Sequence, residues 1–159
     1  MENPSEETPA RWKSLPSWLL TQTANHAHRL VTDGFSSVHA RGYHYRLLAT
    51  LEEFGPASQA ALGRRSDIHL SDMVAAINEL ADHKLVERAP DPSDRRRNII
   101  SLTAAGKRQL RRLEKQLAET QDELLAPLSP EERQRLTELL SRLLDHHTRR
   151  TGTPEESWR

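Results

Sequence analysis

Three consecutive arginines, Arg95, Arg96 and Arg97, closely follow two aspartates, Asp91 and Asp94. A guanidinium is planar and permanently charged, so a carboxylate can hold it in a paired, directional contact. Two carboxylates beside three guanidiniums can fix one arginine while another points outward. An outward arginine suits the narrow minor groove of A·T-rich DNA, whose enhanced negative potential attracts it. The wider distribution of charge agrees. The chain has a formal net charge of zero, yet residues 84–115 carry 10 Lys/Arg against 4 Asp/Glu. That block alone could attract a polyanion.

Other chemistries find less support. There is no cysteine, which excludes disulfide scaffolds, thiol catalysis, Cys-based zinc fingers and thiol redox sensing. The eight histidines are His26, His28, His39, His44, His69, His83, His146 and His147. His26 and His28 are two apart and diverge on a helix, and His146 and His147 are adjacent, so neither pair chelates from one face. No metal site and no cofactor are expected. No nucleophile motif or phosphate-binding loop is present, and Asp94 beside Arg95 reads as an ion pair, so the chain is not expected to be an enzyme. With 159 residues, one folded domain is expected. The mean hydropathy is −0.77. No apolar run approaches the ~20 residues that span a bilayer. Residues 1–7 are acidic, unlike a secretory leader. A cytoplasmic location is therefore expected.

These side chains need elements to place them. Leu20, Ala24, Ala27, Val31, Phe35 and Val38 recur every three or four positions, one face of a long helix starting at Pro16. Tyr43 to Phe54 is a second helix, with Tyr43, Leu47, Leu48 and Leu51 on its inner face, ended by Gly55-Pro56. Ser58 is an N-cap candidate for a short helix through Arg65. Leu70 to His83 is the next, with Met73, Ile77 and Leu80 inward. The turn between them, residues 66–69, makes a helix-turn-helix. Two strand-like runs follow, residues 85–88 and 99–102, separated by a Pro/Asp-rich segment that carries the three arginines at its tip. Thr103 is an N-cap candidate for a long helix with Leu110, Leu113, Leu117, Leu124 and Leu128 near a heptad seam, Thr120 filling one place. Ser129 and Glu132 form a capping box for a last helix, whose apolar face is Leu136, Leu139, Leu140, Leu143 and Leu144.

A helix-turn-helix followed by a hairpin is a winged helix. Its second helix enters a major groove and its hairpin reaches the flanking minor groove. The run from Leu85 to Gly106 resembles the wing of the MarR family of bacterial transcription regulators. That family's pattern, D-P-x-D-R-R, five residues, then L-T-x-x-G, is matched at Asp91, Pro92, Asp94, Arg95, Arg96, Leu102, Thr103 and Gly106. The resemblance covers roughly residues 15–150. It implies a homodimer that binds pseudo-palindromic double-stranded DNA operators, usually as a repressor, often released by a small phenolic ligand. It assigns the minor-groove role to Arg96, the orienting role to Asp94 and the recognition helix to Leu70–His83. That helix has no Lys or Arg before Lys84, and Ala75 stands where many members are basic. Base reading is therefore expected from His69, Ser71, Asp72, Val74, Ala75 and Asn78, helped by Arg64 and Arg65 before the turn. Asp72 either accepts from a cytosine amino group or offsets the helix dipole. In the wing, Ser93, Asp94, Arg95, Arg96 and Arg97 are the expected contacts. Lys84 stands where a glycine often ends the recognition helix.

The expected architecture is mainly α with a small β-hairpin wing. Residues 1–14 are read as a flexible N-terminal tail, 43–103 as the winged helix-turn-helix lobe, 15–40 and 104–150 as a helical dimerisation bundle, and 151–159 as a C-terminal tail. A two-fold dimer must set its recognition helices one DNA turn, about 34 Å, apart, which a long helix after the wing can do. A small aromatic or anionic effector is a possible further partner, with Trp18, His39, His44 and Arg46 as candidate wall residues. Arg46 reverses the charge of the aspartate near this position in the family's urate-responsive branch, which argues against that branch. The competing reading is a protein-interaction module whose acidic second helix binds no DNA. Salt-sensitive binding to generic duplex DNA separates the two.

Overall fold

A computed structural model describes residues 10–150. Along this span the chain forms α1 (Ala10–Lys13), α2 (Pro16–Ser37), α3 (Gly42–Phe54), β1 (Ala57–Ser58), α4 (Gln59–Ser66), α5 (Leu70–Asp82), β2 (Val86–Pro90), β3 (Asn98–Leu102), α6 (Ala104–Leu124) and α7 (Pro130–Arg150). The fold is mainly helical, with one small antiparallel sheet ordered β1-β3-β2. It divides into two units, one ending at Gln121 and one starting at Asp122.

In the first unit, α3, α4 and α5 wrap a common apolar core. Leu47, Leu48, Leu62, Ile68, Met73, Ile77 and Leu80 are all fully buried there. Ile100 of β3, Val86 of β2, Phe35 of α2 and Leu110 and Leu113 of α6 join the same cluster. The helix-turn-helix thus shares its core with the helices before and after it. Asp67 makes the turn between α4 and α5 in the left-handed region, at φ 51°, which Asp tolerates better than most residues. Ser58 caps α4, its hydroxyl accepting from the Ala61 N–H at 3.3 Å.

The ends of α2 and α5 are built alike. Lys84 stands at φ 56°, with its N–H donating to Ala81 and the Leu85 N–H to Leu80. His39 stands at φ 54°, with the equivalent bonds to Ser36 and Phe35. Both are left-handed helix terminations that use up otherwise unpaired carbonyls. Gly106 lies where α6 crosses under the base of the wing. A Cβ there would collide with the Leu85 carbonyl oxygen. Thr103 completes the joint. Its N–H donates to that same oxygen at 3.2 Å, and its hydroxyl accepts from the Gly106 N–H at 2.9 Å.

The second unit holds the last residues of α6, a short link and α7. Ser129 and Glu132 form the reciprocal capping box, at 2.8 and 3.2 Å. Arg133 closes the link by donating to the carbonyls of Leu125 and Leu128 and by pairing with Asp122 at 2.8 Å. No residue of α7 is buried, and Leu139, Leu140, Leu143 and Leu144 are exposed.

Three expectations change. Tyr43 does not face inward: it lies at the open first turn of α3, and Tyr45 instead stacks on Phe35 with ring centroids 5.9 Å apart. The sheet has a third strand, β1, too short to leave a pattern in the sequence. Residues 10–13, read as part of a loose tail, form α1, where Trp12 meets the edge of Trp18 at 5.4 Å. Residues 1–9 and the expected tail at 151–159 lie outside the described residues.

Candidate DNA-binding interface

The wing is a hairpin in which β2 pairs with β3 from Val86↔Leu102 to Pro90↔Asn98. Pro90 lacks an N–H, but β2 is an edge strand, where that loss is tolerated. The tip is locked by its own acids. Asp91 accepts from the Ser93 N–H at 2.9 Å and from its hydroxyl at 2.7 Å. These bonds, with the nearby charge of Arg97, hold the Asp91 carboxyl below the usual aspartate range. Asp94 accepts from the Arg96 N–H at 3.1 Å.

The three arginines differ in consequence. Arg97 lies between both acids, 3.6 Å from Asp91 and 3.7 Å from Asp94. Arg96 faces one acid, Nε to Asp94 at 3.5 Å, and its side chain is 94% exposed, against 59% for Arg97. Arg95 is exposed. All three arginines are exposed, and they differ in their acids: Arg97 faces two carboxylates and Arg96 one. Ser93 serves the turn, since its hydroxyl is committed to Asp91.

On α5, Met73, Ala76, Ile77 and Leu80 face the core. The opposite stripe is Ser71, Val74, Ala75 and Asn78, spaced i, i+3, i+4, i+7, and all four are exposed. His69 precedes the helix and is exposed. Asp72 sits in the first turn, where the helix dipole favours a carboxylate, with the Tyr43 hydroxyl 3.5 Å away. Arg64 and Arg65 end α4, and both are exposed. The Arg65 guanidinium lies 4.9 Å from the centre of the Phe54 ring, a cation–π stack.

Two groupings escaped the sequence reading. Arg88 of β2 donates to the Asn78 side-chain oxygen, joining the wing to the exposed stripe of α5. Arg88 belongs to the basic block, but only folding sets it beside α5. On the other flank, Glu79 pairs with His44 at 2.7 Å and with Arg41 at 3.5 Å. His44 also accepts from the Arg41 N–H through Nδ1 at 3.3 Å.

The four candidate pocket residues do not come together. A cavity of about 740 Å³ lies between α2, α3 and the α4–α5 turn, and only Arg46 of the four lines it, beside Phe35, Tyr43, His69 and Asp72. Arg46 also donates to the Asp67 carbonyl at 3.2 Å. Trp18 packs on Trp12, His39 terminates α2 and His44 is engaged by Glu79. Each of those three therefore has a structural task.

Fold and interface define a winged helix-turn-helix of the DNA-binding kind. Comparison with known proteins agrees. A sequence model of the MarR family matches residues 37–97. A putative transcriptional regulatory protein for the hcr operon of Thauera aromatica is 33% identical over 99 residues, which are 62% of this chain and 60% of that protein's length. The transcriptional repressor NicR of Pseudomonas putida is 36% identical over 59 residues, 37% of each chain. The crystal structure of a probable transcriptional regulator from Pseudomonas aeruginosa superposes with a TM-score of 0.72 at 30% identity, over 84% of this chain and 99% of that one. The chain belongs to the MarR family. It is a DNA-binding transcriptional regulator, and the interaction-module reading finds no support in these relatives. Among the described residues, no helix is long and apolar enough to cross a membrane.

Proposed function

We propose that two copies of this chain bind a pseudo-palindromic operator and repress transcription from the cytoplasm. In each copy α5 enters a major groove, with His69, Ser71, Asp72, Val74, Ala75 and Asn78 toward the bases and Arg64 and Arg65 beside the backbone. The wing contributes Ser93, Asp94, Arg95, Arg96 and Arg97, and Arg96 takes the minor groove. The observation that carries this reading is the wing tip. Arg97 lies between two acids, while Arg96, beside one of them, has a side chain 94% exposed. A tip built only for solubility needs no such ordering. Repression is supported by the similarity to NicR. The homodimer is supported by the exposed leucines of α7, a larger apolar stripe than a lone helix leaves in water. In this reading residues 15–40 and 104–150 supply the dimer contacts and residues 43–103 the DNA-binding lobe.

A small aromatic or anionic effector fits the cavity beside Arg46, whose guanidinium would pair with a carboxylate or phenolate. His69 and Asp72 line the same cavity. An occupant there would touch the start of α5 and so disturb operator binding.

Selection from a random duplex library, followed by salt titration of the enriched sequence, tests the operator reading. A palindrome with half-sites one turn apart and a steep salt slope is expected. Weak binding with no enriched sequence would overturn it.

A further inference from the structure

The exposed stripe of α5 has an unusual chemistry for a surface that meets DNA. No Lys or Arg occurs in α5, and the middle of its outward face is Val74 and Ala75. Val74 is 40% exposed, and Leu70, one turn before it, is 52% exposed. Most of the other exposed large hydrophobic residues lie on other elements, α1, α2 and α7 and the link before α2. The elements beside it carry Arg64 and Arg65, at the end of α4, and Arg88, on the wing strand that touches Asn78, while α5 itself carries Asp72, Glu79 and Asp82. An apolar centre on α5, with guanidiniums on the elements before and after it, can meet a major groove, where phosphates flank base edges. There the apolar group a base offers is the C5-methyl of thymine.

We infer that Val74 and Ala75 determine operator specificity by packing against thymine methyl groups, so that each half-site carries thymine at the base pairs under this pair. This rests on the operator reading above. Asn78 is the polar end of the stripe. Arg88 occupies its side-chain oxygen, which leaves the amide NH2 as the group to donate to a base acceptor. Phosphate contacts from the arginines supply affinity without sequence information, and the carbon surface of Val74 and Ala75 supplies the discrimination.

The test uses the full chain and the operator enriched from the random library. Each thymine of a half-site is replaced in turn by deoxyuridine, which removes one methyl and keeps the base pair. The expected result is a loss of about fourfold in affinity at one or two positions, the worth of one buried methyl group, with an unchanged salt slope. Val74→Ala should abolish the thymine-over-uridine preference at one of those positions and leave the others intact. Val74 is exposed, so this change leaves the core untouched. An enriched operator with a steep salt slope, but equal affinity for thymine and deoxyuridine throughout, would overturn this inference alone. Failure to enrich any sequence would overturn both it and the operator reading.

Discussion

At the scale of single residues, the wing separates charge from geometry. Arg96 and Arg97 carry the same group and are both exposed, yet Arg96 faces one carboxylate and Arg97 lies between two. Arg96→Ala should therefore weaken operator binding by about 1–3 kcal/mol, measured by fluorescence anisotropy at moderate salt. Unchanged affinity would remove Arg96 from the groove. Asp94→Ala is the sharper case. It deletes a negative charge near a polyanion, so charge alone predicts tighter binding. Because Asp94 holds the Arg96 N–H and pairs with Arg97, weaker binding is expected instead; tighter binding would sink the orienting role. Asp91 adds a pH dependence. Its carboxyl is held below the usual range by the Ser93 N–H, the Ser93 hydroxyl and Arg97. A lowered folded value means its contribution to the turn is fully present above the ordinary aspartate value and fades as pH falls through the lowered one. The Asp91 carboxyl signal in an NMR titration should show a midpoint below that of a free aspartate; an ordinary midpoint would contradict the turn's hydrogen bonding.

Among the elements, the wing and α6 meet at a close joint. Gly106 permits it because α6 passes against the Leu85 carbonyl with no room for a side chain. Gly106→Ala should destabilise the protein by about 1–3 kcal/mol through overpacking. The shift should appear in the denaturation midpoint with an unchanged slope. Helix propensity alone predicts the opposite sign, since alanine is favoured over glycine within a helix. A stabilised variant would show that the joint yields easily. The same joint fixes where the wing leaves the core, and so where the arginines stand relative to α5. The contact of Arg88 with Asn78 spans that gap from the other side.

For the whole molecule, the proposed assembly rests on the apolar face of α7. Leu139, Leu140, Leu143 and Leu144 are exposed on a helix with no buried residue. Leu140→Glu together with Leu143→Glu should convert a dimer to a monomer in sedimentation velocity and lower operator affinity by at least tenfold, because two half-sites then bind independently. A dimer that survives both changes would place the interface elsewhere. Most helices were legible in the sequence because a helix records its buried face every three or four residues. Met73, Ile77 and Leu80 announced the inward side of α5, and Asp91, Asp94 and the arginines announced the wing. Local caps were equally legible, since Ser58, Thr103 and Ser129 act within their own first turn. The winged-helix class, the helix after the turn and the charged tip were therefore written in the sequence. Packing set which arginine faces both acids, that Tyr45 rather than Tyr43 packs inward, that β1 joins the sheet, and that Arg88 meets Asn78. It also dispersed Trp18, His39, His44 and Arg46 over separate surroundings. The physical reason is range. Periodicity and capping are written within a few residues of where they act. A contact between a strand and a helix depends on how whole elements pack, which no local pattern encodes.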